Sequence, residues 1–538
     1  MASPLLIAVL SAAVWVVYKL LNVGKREQSL PGGPPTLPLL GNLNVFPTAY
    51  AHYKFTEWAR EYGDIYSLKL GPQTAVILTS MQACKELLDQ QSAITSDRPA
   101  SWMVNATSKG LHLALTRYSD TWRTLRKVAH SILTPNAVVA HQPIQVAEAT
   151  QLMYDMLHSP EKFYTHIRRY STSVIVSVVF GKRCPRYETP DVTTFFELVH
   201  ISELCFEPGA EPPLEHFPFL HYVPERWARW KRLAKALNEI QIKMYMGLLD
   251  ECEERLRNKQ GTGCYLENVI EKQQEYGISR EAVAYLGGAL LEAGAHTTSA
   301  FLHTVIMCLI AFPDVKKKAQ EEIDRVVGED RTPRMEDFED MPYVRALIKE
   351  THRFRPVAPL ALPHALTADV SYRGYTIPKG TIIFANTWGI YHDPEIYDDP
   401  ETFKPERFLS SEYGVKPGVS DKDFRHTLVF GYGRRICPGM HLANNSIELN
   451  VLNFLWAFEF SPPTDPKTGS YLPVDTWAYE KGVLPAPLPF PCEITPRSAS
   501  KASMIDSEYL AATEAFSKFE HHLCEEDKEW LKATREKH

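Results

Sequence analysis

The 538-residue chain has no C-x-x-C pair, no G-x-G-x-x-G loop between a strand and a helix, no internal repeat and no long block of lysine or arginine. Each absence removes a class of function. Nine scattered cysteines without paired spacing argue against a zinc site or a disulfide framework and fit a reducing compartment, where most serve as small buried hydrophobes. Without the glycine-rich unit there is no fused flavin or nicotinamide domain, so redox chemistry would need an external electron donor. A formal charge of -7 offers no electrostatic footprint for nucleic acid, which is set aside as a partner. Hydrophobic residues at 44% and charged residues at 23% sit near the globular average, so neither wholesale disorder nor a multi-span membrane protein is expected.

Exposed-looking hydrophobic runs are scarce apart from one at the start. From Leu5 to Tyr18 every residue is apolar except Ser11, and Leu20, Leu21 and Val23 extend the run past Lys19. That approaches the roughly 20 residues a helix needs to cross hydrocarbon. Lys19 can snorkel to the interface, and Lys25 and Arg26 place the following body on the cytosolic side. A cleaved signal peptide fits less well, because no basic residue precedes the run and no small-x-small site follows it. Residues 1–24 therefore read as a single-pass anchor. The prolines of Pro31-Gly32-Gly33-Pro34-Pro35-Thr36-Leu37-Pro38 forbid helix or central strand, so 25–42 reads as a stiff hinge or a plain proline-rich linker.

Residues 43–497 carry mostly helical periodicity, at Ala83–Gln90, Asp120–Leu133, Trp227–Lys259, Arg280–Ala311 and Val315–Val327. Short β-rich stretches occur at Ile65–Leu70, Ala75–Thr79, Val370–Tyr372 and Thr381–Ala385, the last two bracketing a Gly-Tyr turn. The fold class is mainly α with small β-sheets, one large unit behind a membrane helix. Residues 498–538 form a charged tail, helical or disordered, with Tyr509, Phe516, Phe519 and Trp530 at roughly helical spacing.

The most informative stretch is Phe430-Gly431-Tyr432-Gly433-Arg434-Arg435-Ile436-Cys437-Pro438-Gly439, a loop running into a helix at Met440–Phe454. A cysteine at a helix amino terminus meets a positive dipole end, and Arg434 and Arg435 add charge, so a thiolate able to bind iron is expected at Cys437. The flanking glycines would let the backbone approach a flat macrocycle. A single cysteine is more often an unreactive buried one, and the whole string is what shifts the reading. Phe430, Gly433, Arg435, Cys437 and Gly439 match F-x-x-G-x-R-x-C-x-G and resemble the haem-binding loop of the cytochrome P450 family. The resemblance implies haem b (iron protoporphyrin IX) as cofactor, Cys437 as its metal ligand, and Phe430 and Gly433 as parts of the cofactor loop.

Other motifs follow in the family's order. Glu350-Thr351-His352-Arg353 matches E-x-x-R on a helix over Tyr343–Arg353, and Pro405-Glu406-Arg407-Phe408 follows it, so the resemblance implies a rigid Glu350–Arg353–Arg407 network; alone, Glu350 and Arg353 would be a solvated i,i+3 pair. Trp122 and Arg126 share a helix face, and with Arg435 and His364 they resemble the family's propionate ligands.

Ala293-Gly294-Ala295-His296-Thr297-Thr298 resembles the family's oxygen-activation segment except at 296, where an acid is expected. Small residues would leave room for a ligand, and the Thr297 hydroxyl would bond toward the Ala293 carbonyl and open the turn. The resemblance implies that Thr297, Thr298 and His296 belong to the catalytic set. His296 could shuttle protons itself, face away while water and Thr297 suffice, or mark chemistry needing fewer protons; the second is preferred.

The implied activity is a membrane-bound monooxygenase inserting one atom of dioxygen into a hydrophobic small molecule, with electrons from NADPH through a separate NADPH–haemoprotein reductase. The local wording resembles fungal secondary-metabolite hydroxylases of the O-methylsterigmatocystin oxidoreductase type, and the class implies the endoplasmic reticulum membrane with a cytosolic catalytic domain. Segments Ala100–Leu115, Ile201–Val223, Leu286–Thr297, Val357–Leu362 and Lys481–Leu488 would line a largely apolar pocket, with Trp102, Phe206 and Leu360 as contacts. Lys127, Arg425 and Arg434 are candidates for a reductase-docking face. Alternatives are a haem-thiolate isomerase, dehydratase or oxidative-coupling enzyme, and a non-catalytic haem-binding protein.

Overall fold

The computed structural model describes residues 4–207, 209–215, 217–465 and 467–536. Its longer helices are α1 Pro4–Val23, α2 Ala51–Tyr62, α3 Asp120–Leu133, α4 Gln142–His158, α5 Phe163–Phe180, α6 Pro190–Phe206, α7 Arg229–Arg257, α8 Arg280–Ala311, α9 Pro313–Val327, α10 Pro342–Phe354, α11 Met440–Ala457, α12 Ala499–Ser517 and α13 Glu525–Arg535. The strands are β1 Ile65–Leu70, β2 Gln73–Leu78, β3 His364–Ala365, β4 Val370–Tyr372, β5 Tyr375–Ile377, β6 Ile382–Ala385, β7 Phe458–Ser461 and β8 Glu493–Pro496. The chain is mainly helical with small sheets, as its periodicity predicts.

Two helices are long and apolar enough to cross a membrane, and burial separates them. None of Leu5–Val23 within α1 is buried, which is consistent with a membrane anchor, whereas 83% of the corresponding window in α8 is buried. Helix α8 is the axis of the core and packs along α5, α7, α10 and α11. Its glycines permit that approach. A Cβ on Gly288 would lie 2.4 Å from the Tyr245 ring, and one on Gly294 would lie 2.7 Å from Ile175 Cδ1.

The main sheet has the order β1-β2-β6-β3, with β2 and β6 parallel and the other pairs antiparallel. Sequence reading pairs the β4 stretch with the β6 stretch around one turn, but the structure separates them. β4 instead pairs with β5 across Arg373 (φ 47) and Gly374 (φ 82), two left-handed residues that make a tight hairpin, and β6 is released to the main sheet. The helix read at Ala83–Gln90 is α-helical only over Met81–Cys84 and widens to a π-turn over Lys85–Gln90. That turn meets the cysteine loop. A Cβ on Gly433 (φ 52) would lie 2.2 Å from the Leu88 carbonyl, and the Gly433 amide donates to Asp89 Oδ1 at 2.7 Å.

The tail is a packed layer. Helix α12 lies along α4 and stacks Tyr509 on Tyr154 with ring centroids 4.0 Å apart. Tyr509, Phe516 and Phe519 are buried and Trp530 is half-buried. Arg183 donates to Glu148 and Glu520 at 3.1 and 2.9 Å and lies 3.4 Å over the Phe516 ring, while Arg186 binds Asp527. A weakly docked or disordered tail is therefore excluded for these residues.

Candidate active site

The cysteine loop is fixed by its own backbone and by the π-turn. The Cys437 amide donates to the Phe430 carbonyl at 2.7 Å, closing the loop on itself. Cys437 lies two residues before the N-cap of α11, Gly439, and is half-buried. Burial pushes its thiol above the usual range, against the opposing influence of the Gly439 amide and Arg126. The expectation that Arg434 and Arg435 favour the thiolate is corrected by where they point. Arg434 donates to the Tyr118 hydroxyl at 2.6 Å, and Arg435 donates to the carbonyls of Ser96 (2.8 Å) and Thr116 (2.8 Å). Ionisation of Cys437 then depends on a bound metal, which deprotonates a coordinating thiol outright. Gly433 is required by the Leu88 carbonyl, a protein contact, whereas a Cβ on Gly439 would meet nothing within 4 Å. Phe430 sets its ring edge-on to His352, with centroids 5.9 Å apart.

Beside the loop lies a group of buried cations. The Trp122 indole donates to the Leu113 carbonyl at 3.0 Å, and the Arg435 guanidinium lies 4.0 Å over its ring. Arg126 donates to the Ile436 carbonyl. His364 bonds through Nδ1 to the Thr95 carbonyl at 2.8 Å, which fixes the proton there; burial, then Arg98, push its pKa down to about 3, so it is neutral. Arg98, which sequence reading overlooked, donates to the carbonyls of Ala114 (2.9 Å), Leu362 (2.7 Å) and Pro363 (2.7 Å). Burial, then repulsion from Arg435, lower Arg98 to about 9, and burial lowers Arg435 to about 10, so both remain charged at neutral pH. Asp97 is committed to Arg117 at 2.5 Å and to the Tyr118 amide at 2.7 Å. Among the described residues Arg98 and Arg435 make no ion pair. A buried cation pair facing only carbonyls fits a dianionic group, and a soft sulfur in the adjoining loop fits iron. The donor set therefore suits haem.

The Glu350 network is satisfied by protein alone. Arg353 grips Glu350 with two bonds of 2.7 and 2.8 Å, and Arg407 approaches the same carboxylate at 3.1 Å. The Lys404 amide adds a fourth donor at 2.8 Å. Arg353 spends its remaining donors on the carbonyls of Tyr391 and Pro400. All three side chains are buried, so a solvated pair is excluded.

In α8 the Thr297 hydroxyl donates to the Ala293 carbonyl at 2.6 Å, and both residues keep accessible surface. Gly294 next to them is occupied by Ile175, so the room left for a ligand comes from Ala293, not from the glycine. Thr298 is buried. His296 is buried and bonds through Nε2 to the Leu484 carbonyl at 2.9 Å, on a side that carries Glu203 and Glu480. Of the suggested pocket contacts, Trp102 and Phe206 pack against the main core, whereas Leu360 packs against the Phe55, Trp58 and Tyr66 cluster under the main sheet. Glu211 ties the roof down, accepting from Ser101 Oγ and from the amides of Trp102 and Met103 at the start of a short helix. Of the three docking candidates Arg425 is spent on Asp89 (2.5 Å) and the Gly431 carbonyl, while Lys127 and Arg434 remain exposed.

Comparison with known proteins gives one result throughout. A family model described as cytochrome P450 matches residues 31–476. A cytochrome P450 monooxygenase of Armillaria gallica is 43% identical over 505 residues, covering 94% of this chain and 96% of its own. Cytochrome P450 monooxygenase yanC of Aspergillus niger is 38% identical over 527 residues, covering 95% of this chain and 96% of its own. A solved zebra fish cytochrome P450, titled as a structure with abiraterone, superposes with a TM-score of 0.66 at 26% identity, covering 83% of this chain and 100% of its own. An alignment that spans 95% of the chain is too long to omit the whole of 498–538, so this relative shares part of the tail.

Proposed function

Because the chain belongs to the cytochrome P450 family and is a monooxygenase, we propose that it oxidises a hydrophobic small molecule of fungal secondary metabolism, fed with electrons from NADPH by a separate reductase. The observation that carries the reading is the pairing of Cys437 with a buried cation group whose Arg98 and Arg435 form no ion pair among the described residues and bond only to backbone carbonyls. Bound haem supplies oxygen activation, with a thiolate ligand favouring O–O cleavage, the recognised chemistry of this family. The chain supplies the rest. Cys437 would hold the metal; Arg98, Arg435 and Arg126 would receive the propionates, with Trp122 positioning Arg435 over its ring; Thr297 holds a hydroxyl at the opened turn of α8. Thr298, the next residue, is buried. The α1 anchor and the lysine and arginine after it support an endoplasmic reticulum location with the catalytic body in the cytosol.

His296 stands aside from proton delivery in this reading, since its ring is bonded to the Leu484 carbonyl and faces Glu203 and Glu480. His296→Asp, which puts the family's usual acid at this position, is expected to change the ratio of NADPH consumed to product formed while leaving turnover measurable; an unchanged ratio and rate across pH would show that even an acid here does not reach the proton route. The function as a whole is tested with purified protein in three steps. The reduced carbon monoxide difference spectrum reads thiolate ligation, reductase-dependent NADPH oxidation reads electron transfer, and incorporation of labelled dioxygen into product separates oxygen insertion from isomerisation, dehydration or coupling.

A further inference from the structure

One carboxylate interrupts the accessible side of α8. Glu292 lies immediately before Ala293, whose carbonyl takes the Thr297 hydroxyl bond, so it adjoins the opened turn. Two donors from α7 hold one of its oxygens: Tyr245 Oη donates to Oε1, and Gln241 Nε2 donates to the same atom at 3.1 Å. Gly288, one turn earlier, is what lets the Tyr245 ring lie flat enough against α8 to reach it. The second oxygen, Oε2, faces His112 Nε2 at 3.4 Å. His112 is 6% exposed, and neither ring nitrogen has a hydrogen-bond partner. It immediately precedes Leu113, whose carbonyl is the acceptor for the Trp122 indole. The pair therefore joins the α8 turn to the loop that borders the cation group.

An imidazole that approaches a carboxylate at 3.4 Å without making a hydrogen bond leaves both groups incompletely satisfied in a buried setting, which is costly unless a third group completes them. The two ask for different things. Glu292 Oε2 can only accept, and burial notwithstanding, His112, Tyr245 and Gln241 hold this carboxyl below its usual range, so it is ionised at neutral pH. His112 can offer an N–H. A ligand carboxylate would be repelled by Glu292, and a ligand ammonium, which only donates, would leave the His112 N–H without an acceptor. An ether or ketone satisfies the imidazole alone. A hydroxyl donates to the one and accepts from the other.

Resting on the monooxygenase reading above, we infer that Glu292 and His112 form a polar anchor for a substrate hydroxyl, so that the preferred substrate is an already oxygenated phenol or alcohol rather than a bare hydrocarbon. The tyrosine and glutamine that fix Oε1 leave Oε2 aimed, and the apolar surroundings then orient the remainder of the molecule.

The test uses ferric holoenzyme and the spin-state change on binding, with three matched probes: naphthalene, 2-methoxynaphthalene and 2-naphthol. The saturated alcohol 2-decalol separates the alcohol source from the phenol source. The hydroxyl compounds should bind about tenfold to hundredfold more tightly than the ether and the hydrocarbon, the penalty of leaving buried polar groups unpaired. Glu292→Gln should erase the preference for hydroxyl over ether, because Tyr245 will hold the amide oxygen and turn an NH2 donor toward the ligand. His112→Phe, a second variant, should remove the advantage of the ether over the hydrocarbon as well. The inference is overturned if native protein ranks hydrocarbon or ether equal to the hydroxyl compounds, if no hydroxyl compound shifts the spin state, or if the ranking survives both substitutions. A normal carbon monoxide difference spectrum in each protein keeps this outcome distinct from failure of the haem-thiolate assignment.

Discussion

Arg353 and Arg407 bury their guanidiniums around one carboxylate, whereas Arg98 and Arg435 bury theirs around none. Both groups are screened from water, and both use backbone carbonyls for leftover donors. They differ in whether the protein closes the charge balance. In the first, Glu350 receives four donors from three residues on two segments, and the network holds α10 to the 391–407 stretch. It is finished by folding. In the second, Arg435 sits close enough to Arg98 to lower its basicity, and among the described residues neither forms an ion pair, because Asp97, the carboxylate that acts on both, is bonded to Arg117 and the Tyr118 amide. A protein tolerates that imbalance where a ligand supplies the missing charge, so the unbalanced cluster marks function and the balanced one marks architecture.

The largest expected effect falls on the atom beside the unbalanced cluster. Cys437→Ala should abolish the reduced carbon monoxide signature of thiolate ligation and with it oxygen insertion. A purified variant that incorporates haem with an unaltered spectrum would sink the assignment of that sulfur. Next comes the balanced network. Glu350→Gln leaves two buried guanidiniums facing a neutral amide, which should cost about 3–5 kcal/mol of stability. Thermal unfolding with and without haem should show the loss equally in both, since the network needs no ligand. Arg435→Leu should behave the opposite way. In haem-free protein it removes a repulsive buried charge, so its stability change should stay within about 1 kcal/mol. Its haem, however, should transfer to apomyoglobin about tenfold or more faster, from the loss of a charge-assisted contact. Equal destabilisation by both substitutions in haem-free protein would break the distinction between the clusters.

Much of this site is legible in the sequence because its motifs are local. The ten residues from Phe430 to Gly439 carry the ligand, and α3 and α8 begin and end where their caps and periodicity predict. What escapes reading is set by tertiary approach. Arg98 sits in an undistinguished Asp-Arg-Pro stretch, and only folding brings it near Arg435. Glu292 was visible as the lone acid in a buried helical run, but its meaning depends on His112, 180 positions away in sequence. The π-turn at Lys85–Gln90 is invisible to a periodicity argument because it arises from contact with Gly433. The tail misleads for a related reason. Its charges look solvated on paper, yet Glu520 and Asp527 are the partners of Arg183 and Arg186.

The smallest effect comes from the mirror case, a cluster with too many anions. On α6, Glu203 faces Glu480 and Arg168, with Glu207 and His296 nearby. Burial, then Glu480, raise its pKa to about 7, with Arg168 opposing. The sign follows from linkage. For an acid whose folded pKa exceeds the unfolded one, nothing is lost while both states are protonated; as pH climbs from the ordinary carboxyl range toward 7 the unfolded chain ionises first, and stability falls. Above that window the penalty is complete. Glu203→Gln has no proton to lose, so it should match the native protein near pH 4 and exceed it at pH 8 by about 1–2 kcal/mol, after allowance for solvent screening. Paired thermal melts across that range measure the difference. A gain independent of pH would mean that packing, not surplus negative charge, distinguishes Glu203, and the symmetry with the arginine cluster would fail.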